Sequence, residues 1–373
     1  MLQVADITPV NAFTLPDGDN PTTTHVSATY VSELVDAQTW DKALGAFQDV
    51  SYEQSDSYMS GQWGDRVSRL LVRQANGRVL GGALVVEIKA PLLGTGLAYV
   101  KFGPFWQRRE EPANEQVYRT VVTALREEFC TKRGHMLSVL PRPSPDVQEE
   151  EARVLREFGF AQRRPFVDPD RYLVRIHNDE ETQLKSLAQK WRYNLKKSIK
   201  NNITVTHSDD NNGLHIFKAL HEEMVVRKNF NDVDAVDLVP EMRAKLPDGL
   251  KPQIFIAHHN NEPVAGAVVG VMGDTAYYVY GASAKAALPR KAGFALQWEI
   301  LRWLQNSKAQ WYDLGGTVAE PGLHQFKKGL VGKSGRIWAM TGELDYWPNT
   351  RARLIGDTLY FTRALMQKLR NLR

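Results

Sequence analysis

The residues of this chain that could do chemistry gather between Tyr277 and Lys328. Asp313 closes the apolar run Trp311-Tyr312 and stands just before Leu314-Gly315-Gly316. A carboxylate there could attract an ammonium group or accept its proton, or it could simply cap the glycine turn. Arg290-Lys291-Ala292-Gly293-Phe294-Ala295 puts a basic residue, a glycine and a small residue where a helix begins. Backbone can come close to a phosphate at such a place, so it suits an anion. Tyr278 and Tyr280 alternate with Val279, which predicts that they share one face of a strand, lining a groove or packing in a core. Lys185, Arg192, Lys196 and Lys200 form a basic helical face suited to the phosphates of RNA, or one that is merely solvated. The histidines, including His207 and His258-His259, show no zinc spacing, so no metal is expected. Among other chemistries, no phosphate-binding loop with Gly-Lys-Ser/Thr and no Gly-x-Ser-x-Gly elbow occurs, and Cys130 lacks a nucleophile's setting.

These residues need a strand, a helix and a second strand to hold them. Tyr277 to Tyr280 reads as an aromatic strand. Phe294, Leu296, Trp298, Ile300, Leu301, Trp303 and Leu304 then form a wide apolar stripe at helical spacing, which predicts burial. Trp311 to Leu314 is a short strand, and the Phe-Lys-Lys-Gly segment follows it.

The composition is that of a soluble globular protein, and 373 residues suffice for two domains with separate cores. A formal net charge of +4 is only mildly basic, so a polyanion would be held by local patches and not by a global field. A single cysteine cannot form an intramolecular disulfide, and nothing calls for an oxidising compartment. The N-terminus shows no basic leader before an apolar run, and Val79 to Val100 is interrupted by Glu87, Lys89 and Pro91. The expected location is cytoplasmic.

Along the chain, residues 1–24 read as an irregular leader. Tyr30 to Phe47 has helical spacing at Leu34, Leu44 and Phe47. Val67 to Val72 reads as a strand, with Asn76-Gly77 as a hairpin turn. Arg78-Val-Leu-Gly-Gly-Ala-Leu-Val-Val86 is echoed by Glu262-Pro-Val-Ala-Gly-Ala-Val-Val-Gly270, each followed by another strand, a helix and a short apolar strand. Such an echo predicts two similar domains in tandem. Glu180 to Lys200 reads as one amphipathic helix, Leu214 to Arg227 as another, with a loop and a strand at Gln253 to His258 after it; Arg351 to Arg373 reads as a basic amphipathic helix.

The strand-turn-helix unit with its Arg-x-x-Gly-x-Ala turn resembles the cofactor-binding half of the GNAT acyltransferase fold. Tyr278-Val-Tyr-Gly-Ala-Ser283, Leu296-Gln-Trp-Glu-Ile300 with Arg302-Trp303, Trp311-Tyr-Asp-Leu-Gly-Gly316 and Gln325-Phe-Lys-Lys-Gly-Leu330, in this order, resemble the second domain of the Fem-type aminoacyltransferases. The helix from Lys190 to Lys200 resembles the one that opens that domain. Leu97 to Gly103-Pro104 resembles a strand and turn of the family's first domain. The resemblance implies an α/β (α+β) chain of two tandem GNAT-like domains, with mixed sheets flanked by helices. They would span 25–167 and 168–345, with a C-terminal helix at 346–373 returning to the first. Some members of the family carry a long helical hairpin arm in the second domain, and the span from Arg171 to Tyr277 is too short to supply one.

The resemblance also implies a reaction: transfer of an amino acid from aminoacyl-tRNA to an amine of a peptidoglycan-precursor peptide, linked to UDP or to a lipid, with no cofactor. It places Phe326 and Lys327 at the aminoacyl end, the lysine stabilising charge on an already activated ester. A solvated lysine pair after a core aromatic is the alternative for that segment. Arg227 would grip the precursor's phosphate. Arg66, where the family carries lysine, and Tyr99, Tyr278 and Tyr280 would contact the precursor. A second reading takes acyl-CoA as donor, its pyrophosphate on Arg290, Gly293 and Ala295. A third is a non-catalytic binding module on a GNAT scaffold. Contact of the C-terminal helix with a membrane surface is a further expectation; DNA binding is not expected.

Overall fold

The computed structural model describes residues 30–90, 92–164, 166, 170–208, 211–228, 235–317 and 320–370, with side chains of the last helix described as far as 362. The leader read at 1–24 lies outside them. Fourteen strands are assigned among these residues: β1 Tyr30–Leu34, β2 Val67–Gln74, β3 Val79–Ala90, β4 Thr95–Lys101, β5 Met136–Leu140, β6 Ala161–Gln162, β7 Asp170–Arg175, β8 Ile203–Ser208, β9 Gln253–His259, β10 Glu262–Met272, β11 Thr275–Ser283, β12 Trp311–Asp313, β13 Arg336–Ala339 and β14 Leu344–Tyr346.

They form two sheets of seven, ordered β1-β2-β3-β4-β5-β14-β6 and β13-β7-β12-β11-β10-β9-β8. Read from opposite ends the two orders match place for place. Each sheet has an antiparallel meander, β2-β3-β4 or β9-β10-β11, followed by one parallel pair, β4 with β5 or β11 with β12. Two antiparallel strands then complete it. The echoed segments are β3 and β10, the middle strand of each meander. Their long runs of Val, Ala and Gly suit strands covered on both faces, and both are mostly buried.

Helices cover the second sheet on two sides. Helices Gln189–Lys200 and Ala292–Leu304 pack Trp191, Leu195, Leu296 and Ile300 on the face of Phe255, Ala267 and Val269, while helix Asn211–Lys228 packs Leu214, Phe217 and Leu220 on the face of Ile254, Ile256 and Val268. The two sheets meet in a shared apolar core built from Trp40, Tyr52, Tyr99 and Phe102 on one side and Leu250, Met272 and Tyr277 on the other. The last helix, Thr350–Arg370, returns to the first sheet: Tyr360 donates to Ser138 Oγ, and Arg163 grips Asp357 through both guanidinium nitrogens.

Gly270 marks the tightest approach between the halves, since a Cβ there would lie 1.4 Å from the hydroxyl of Tyr52, a buried residue that donates to Leu250 O. Gly270→Ala should force that ring away and destabilise the fold by about 1–3 kcal/mol, read as a lowered denaturant midpoint.

Two predicted helices are corrected. Tyr30 to Leu34 is an edge strand paired with β2, and the helix is confined to Ala37–Leu44 behind an Asp36 cap. Sheet pairing overrides the helical spacing there. The span 180–200 is broken into Glu180–Ser186 and Gln189–Lys200, with Leu187 and Ala188 extended between them. Leu187 is fully buried and Ala188 N donates to Gly329 O, so docking on helix Pro321–Val331 holds the break open. A short helix, Val239–Lys245, occupies part of the span read as loop.

Candidate active site

β12 pairs with β11 over only three residues, Trp311 to Asp313 against Thr275 to Tyr277. Beyond Tyr277, β11 continues to Ser283 while the other chain turns away through Leu314, Gly315 and Gly316, so the sheet opens into a notch. Gly315 has φ +73°, a left-handed backbone that favours glycine, and its N–H donates to Asp313 Oδ1 at 2.8 Å. Asp313 therefore caps the glycine turn, as its place in the sequence allows. The other carboxylate oxygen accepts from Arg171 on β7, at 2.7 Å from Nη2 and 3.2 Å from Nε.

Lys327 enters this notch from helix Pro321–Val331. Its ammonium donates to Leu314 O at 2.5 Å and Gly316 O at 2.7 Å, and the residue is only 7% exposed. The solvated-lysine alternative is thereby excluded for Lys327, though its neighbour Lys328 is exposed. Burial, reinforced by the Arg171 cation and opposed by the Asp313 carboxylate, lowers the lysine to about 8. Two cations thus share one buried carboxylate, and one of the three ammonium protons is left after the two carbonyls are served.

The pH consequence has a definite sign. If the charged lysine is the working form, the rate falls as pH rises through about 8, an inflection readable in a pH–rate profile. Because the folded value lies below the unfolded one, the lysine disfavours the fold at neutral pH and this penalty is relieved as pH rises above about 8.

The two strand tyrosines are not on one face. A register shift sets Val268 opposite Tyr280 and Val269 opposite Tyr278, leaving Val279 as the extra residue of a β-bulge. The bulge reverses the alternation expected of a regular strand. Tyr278 points to the core beneath helix Ala292–Leu304, edge-on to Tyr312 with centroids 6.5 Å apart, and its hydroxyl is pushed up to about 12 by burial. Tyr280 faces the helix Asn211–Lys228 side, where it hydrogen-bonds Tyr58.

The remaining candidates are dispersed. Phe326, next to Lys327, packs against Phe294 and Trp191, with centroids 4.9 and 6.2 Å away, and touches the helix start at Gly293. Helix Ala292–Leu304 has no side-chain cap, but Phe294 N donates to Lys291 O, and Arg290 turns back to donate to Ala286 O. Arg227 donates to Ser283 O and so ties its helix to the end of β11. Arg66 is exposed in the turn before β2, and Tyr99 is buried in the core shared by the sheets. The basic stripe is interrupted by the helix break: Lys185 pairs with Glu181, and Arg192 donates to the carbonyls of Lys185 and Leu187. Lys196 and Lys200 stay exposed on one face of the second helix. No cluster of metal-ligating side chains occurs among the described residues.

Sequence reading missed Arg171, which only the pairing of β7 beside β12 brings to Asp313. It also missed His324, whose ring meets the hydroxyl of buried Tyr172. The i, i+3 spacing of His324 and Lys327 on a helix is a signal that could have found it.

The chain is similar in sequence and in fold to several known proteins. Residues 185–328 match the family model described as an acetyltransferase (GNAT) domain. The chain is 21% identical to a lipid II:glycine glycyltransferase of Staphylococcus epidermidis (strain RP62A), over 79% of this chain and 89% of the relative. A Staphylococcus haemolyticus protein of the same name is 26% identical over 34% of this chain and 31% of its own length. Among solved structures, FemX superposes with a TM-score of 0.70 at 17% identity, covering 86% of this chain and 98% of its own. L-PGS from Bacillus licheniformis gives 0.54 at 14% identity, covering 90% and 96%.

The two matching sheets make a tandem GNAT-like fold, and the GNAT acetyltransferase domain model matches its second half, where the notch holds the buried lysine. In sequence and in fold the chain resembles the Fem-type proteins.

Proposed function

We propose that the chain is an aminoacyltransferase that moves an amino acid from aminoacyl-tRNA to an amine of a peptidoglycan-precursor peptide, and that it works in the cytoplasm. The acceptor is a lipid-linked precursor, as the names of the curated relatives suggest. The observation that carries the reading is Lys327, held by Leu314 O and Gly316 O where β11 and β12 separate.

In this mechanism the neutral acceptor amine attacks the ester carbonyl, forming the C–N bond and a tetrahedral oxyanion. The free N–H of Lys327 stabilises that charge. Collapse breaks the bond to the ribose oxygen, which takes up a proton, while the amine nitrogen loses one. Asp313 and Arg171 fix the ammonium's surroundings, so no reorganisation is needed as charge develops. His324 lies one helical turn before Lys327 and is hydrogen-bonded to Tyr172. Exposed Lys196 and Lys200 support docking of the tRNA phosphates, because their helix packs Trp191 against Phe326 beside Lys327.

One observation favours a second reading, with acyl-CoA as donor: the uncapped start of helix Ala292–Leu304. Gly293→Glu separates the two. A Cβ there meets Phe326 no closer than 3.8 Å, so the fold accepts the change, while the new carboxylate repels a pyrophosphate. With charged tRNA and a lipid-linked precursor, transfer by Gly293→Glu should stay within about threefold of the unsubstituted protein; calorimetric binding of acetyl-CoA that the substitution abolishes would establish the second reading instead.

A further inference from the structure

The first sheet ends, on the side away from the second, in a surface that the site does not use. β5 runs from Met136, beside Leu97, to Leu140, and Arg142 beyond it holds Asp274 of the other half. At the opposite end of β4 and β5 three segments meet. Thr95 Oγ1 donates to Gly134 O, and Arg351 at the start of the C-terminal helix donates to Leu93 O.

The hairpin turn between β3 and β4 carries Leu92 and Leu93 where turns are ordinarily polar. Leu92 is 104% exposed and has φ +65°, a left-handed backbone rare for a bulky side chain. Beside it, the C-terminal helix turns Leu354, 58% exposed, and Phe361, 70% exposed, outward at i, i+7 spacing, hence on one face. Cations stand beside these apolar groups: exposed Lys89 precedes the turn, and Arg351 donates to Leu93 O, while Asp357, on the same helix face, is neutralised by its pair with Arg163.

We infer that the Leu92–Leu93 turn and the outer face of the C-terminal helix form a docking surface for an anionic lipid bilayer. Apolar tips flanked by cations match the interfacial region of such a membrane, where side-chain insertion and attraction to lipid headgroups act together. A second copy of the chain fits this face poorly, because a two-fold contact would set its cations against themselves. The inference does not depend on which acyl donor the enzyme uses. Among the described residues no helix is long and apolar enough to cross a membrane, so the attachment is peripheral.

The test is co-sedimentation of the full chain with vesicles of phosphatidylglycerol and phosphatidylcholine or of phosphatidylcholine alone. The chain should bind the anionic vesicles at least about tenfold more strongly, and lose that preference in high salt. Leu92→Ser with Leu93→Ser, and separately Phe361→Ser, alter exposed side chains and should leave thermal unfolding and transfer to a water-soluble acceptor unchanged. Each should lower vesicle binding about tenfold. Absence of vesicle binding, binding that neither variant weakens, or a dimer that the leucine substitutions dissociate would each overturn the inference.

Discussion

Lys327→Met should abolish most transfer, lowering kcat by about 10²- to 10³-fold, the range found when one preorganised charge-stabilising donor is removed. Methionine fills a similar volume, so the comparison isolates the ammonium. Two hydrogen bonds to Leu314 O and Gly316 O are lost, but so is the cost of burying a charge that burial already drives down to about 8. These effects oppose each other, and the melting temperature should move little. Lys327→Arg should not restore the rate, because a planar fork cannot occupy the place of a compact ammonium held by two carbonyls. The decisive readout is a single-turnover rate with charged tRNA at saturating acceptor. Retention of activity within about fivefold would remove Lys327 from the mechanism.

The second large effect belongs to Asp313. Asp313 is 1% exposed, its carboxylate pairs with Arg171, and its charge offsets that guanidinium's repulsion of the Lys327 ammonium. Asp313→Ala leaves a buried guanidinium without its partner and removes the acceptor of Gly315 N. Breaking a buried pair from one side costs about 3–5 kcal/mol, which should appear as a large drop in the denaturant midpoint. The same change removes the influence that holds the lysine up, so the pH–rate inflection should move to lower pH. Asp313→Asn keeps an acceptor for Gly315 N and should be milder in stability, while shifting the inflection in the same direction. A loss below about 1 kcal/mol for the alanine variant would show that the triad is solvated in solution.

Much of this architecture was legible in residue order. Gly-Gly-Ala-Leu-Val-Val in β3 and Ala-Gly-Ala-Val-Val-Gly in β10 announced two similar sheets, because only strands buried on both faces carry such uninterrupted apolar runs. Trp311-Tyr-Asp-Leu-Gly-Gly316 and Phe326-Lys327 likewise pointed to the notch where Lys327 meets Leu314 O and Gly316 O. What escaped was non-local. Arg171 reaches Asp313 only because β7 lies antiparallel to β12, a pairing between segments far apart in the chain. The bulge at Val279 moves Tyr280 to the other face through an irregularity that period-two reasoning excludes by construction. The break at Leu187 and Ala188 arises where a helix of good spacing is overruled by docking on Gly329. Tyr30 to Leu34 went the same way, since pairing along β2 outweighs a short local pattern.

The most direct measurement of the central claim is to incubate the chain with aminoacyl-tRNA and a lipid-linked precursor and weigh the precursor's peptide by mass spectrometry. The account predicts a peptide heavier by one amino-acid residue, formed by the unsubstituted chain and lost with Lys327→Met. An unmodified peptide with charged tRNA, together with an acylated one when acetyl-CoA is supplied, would contradict it.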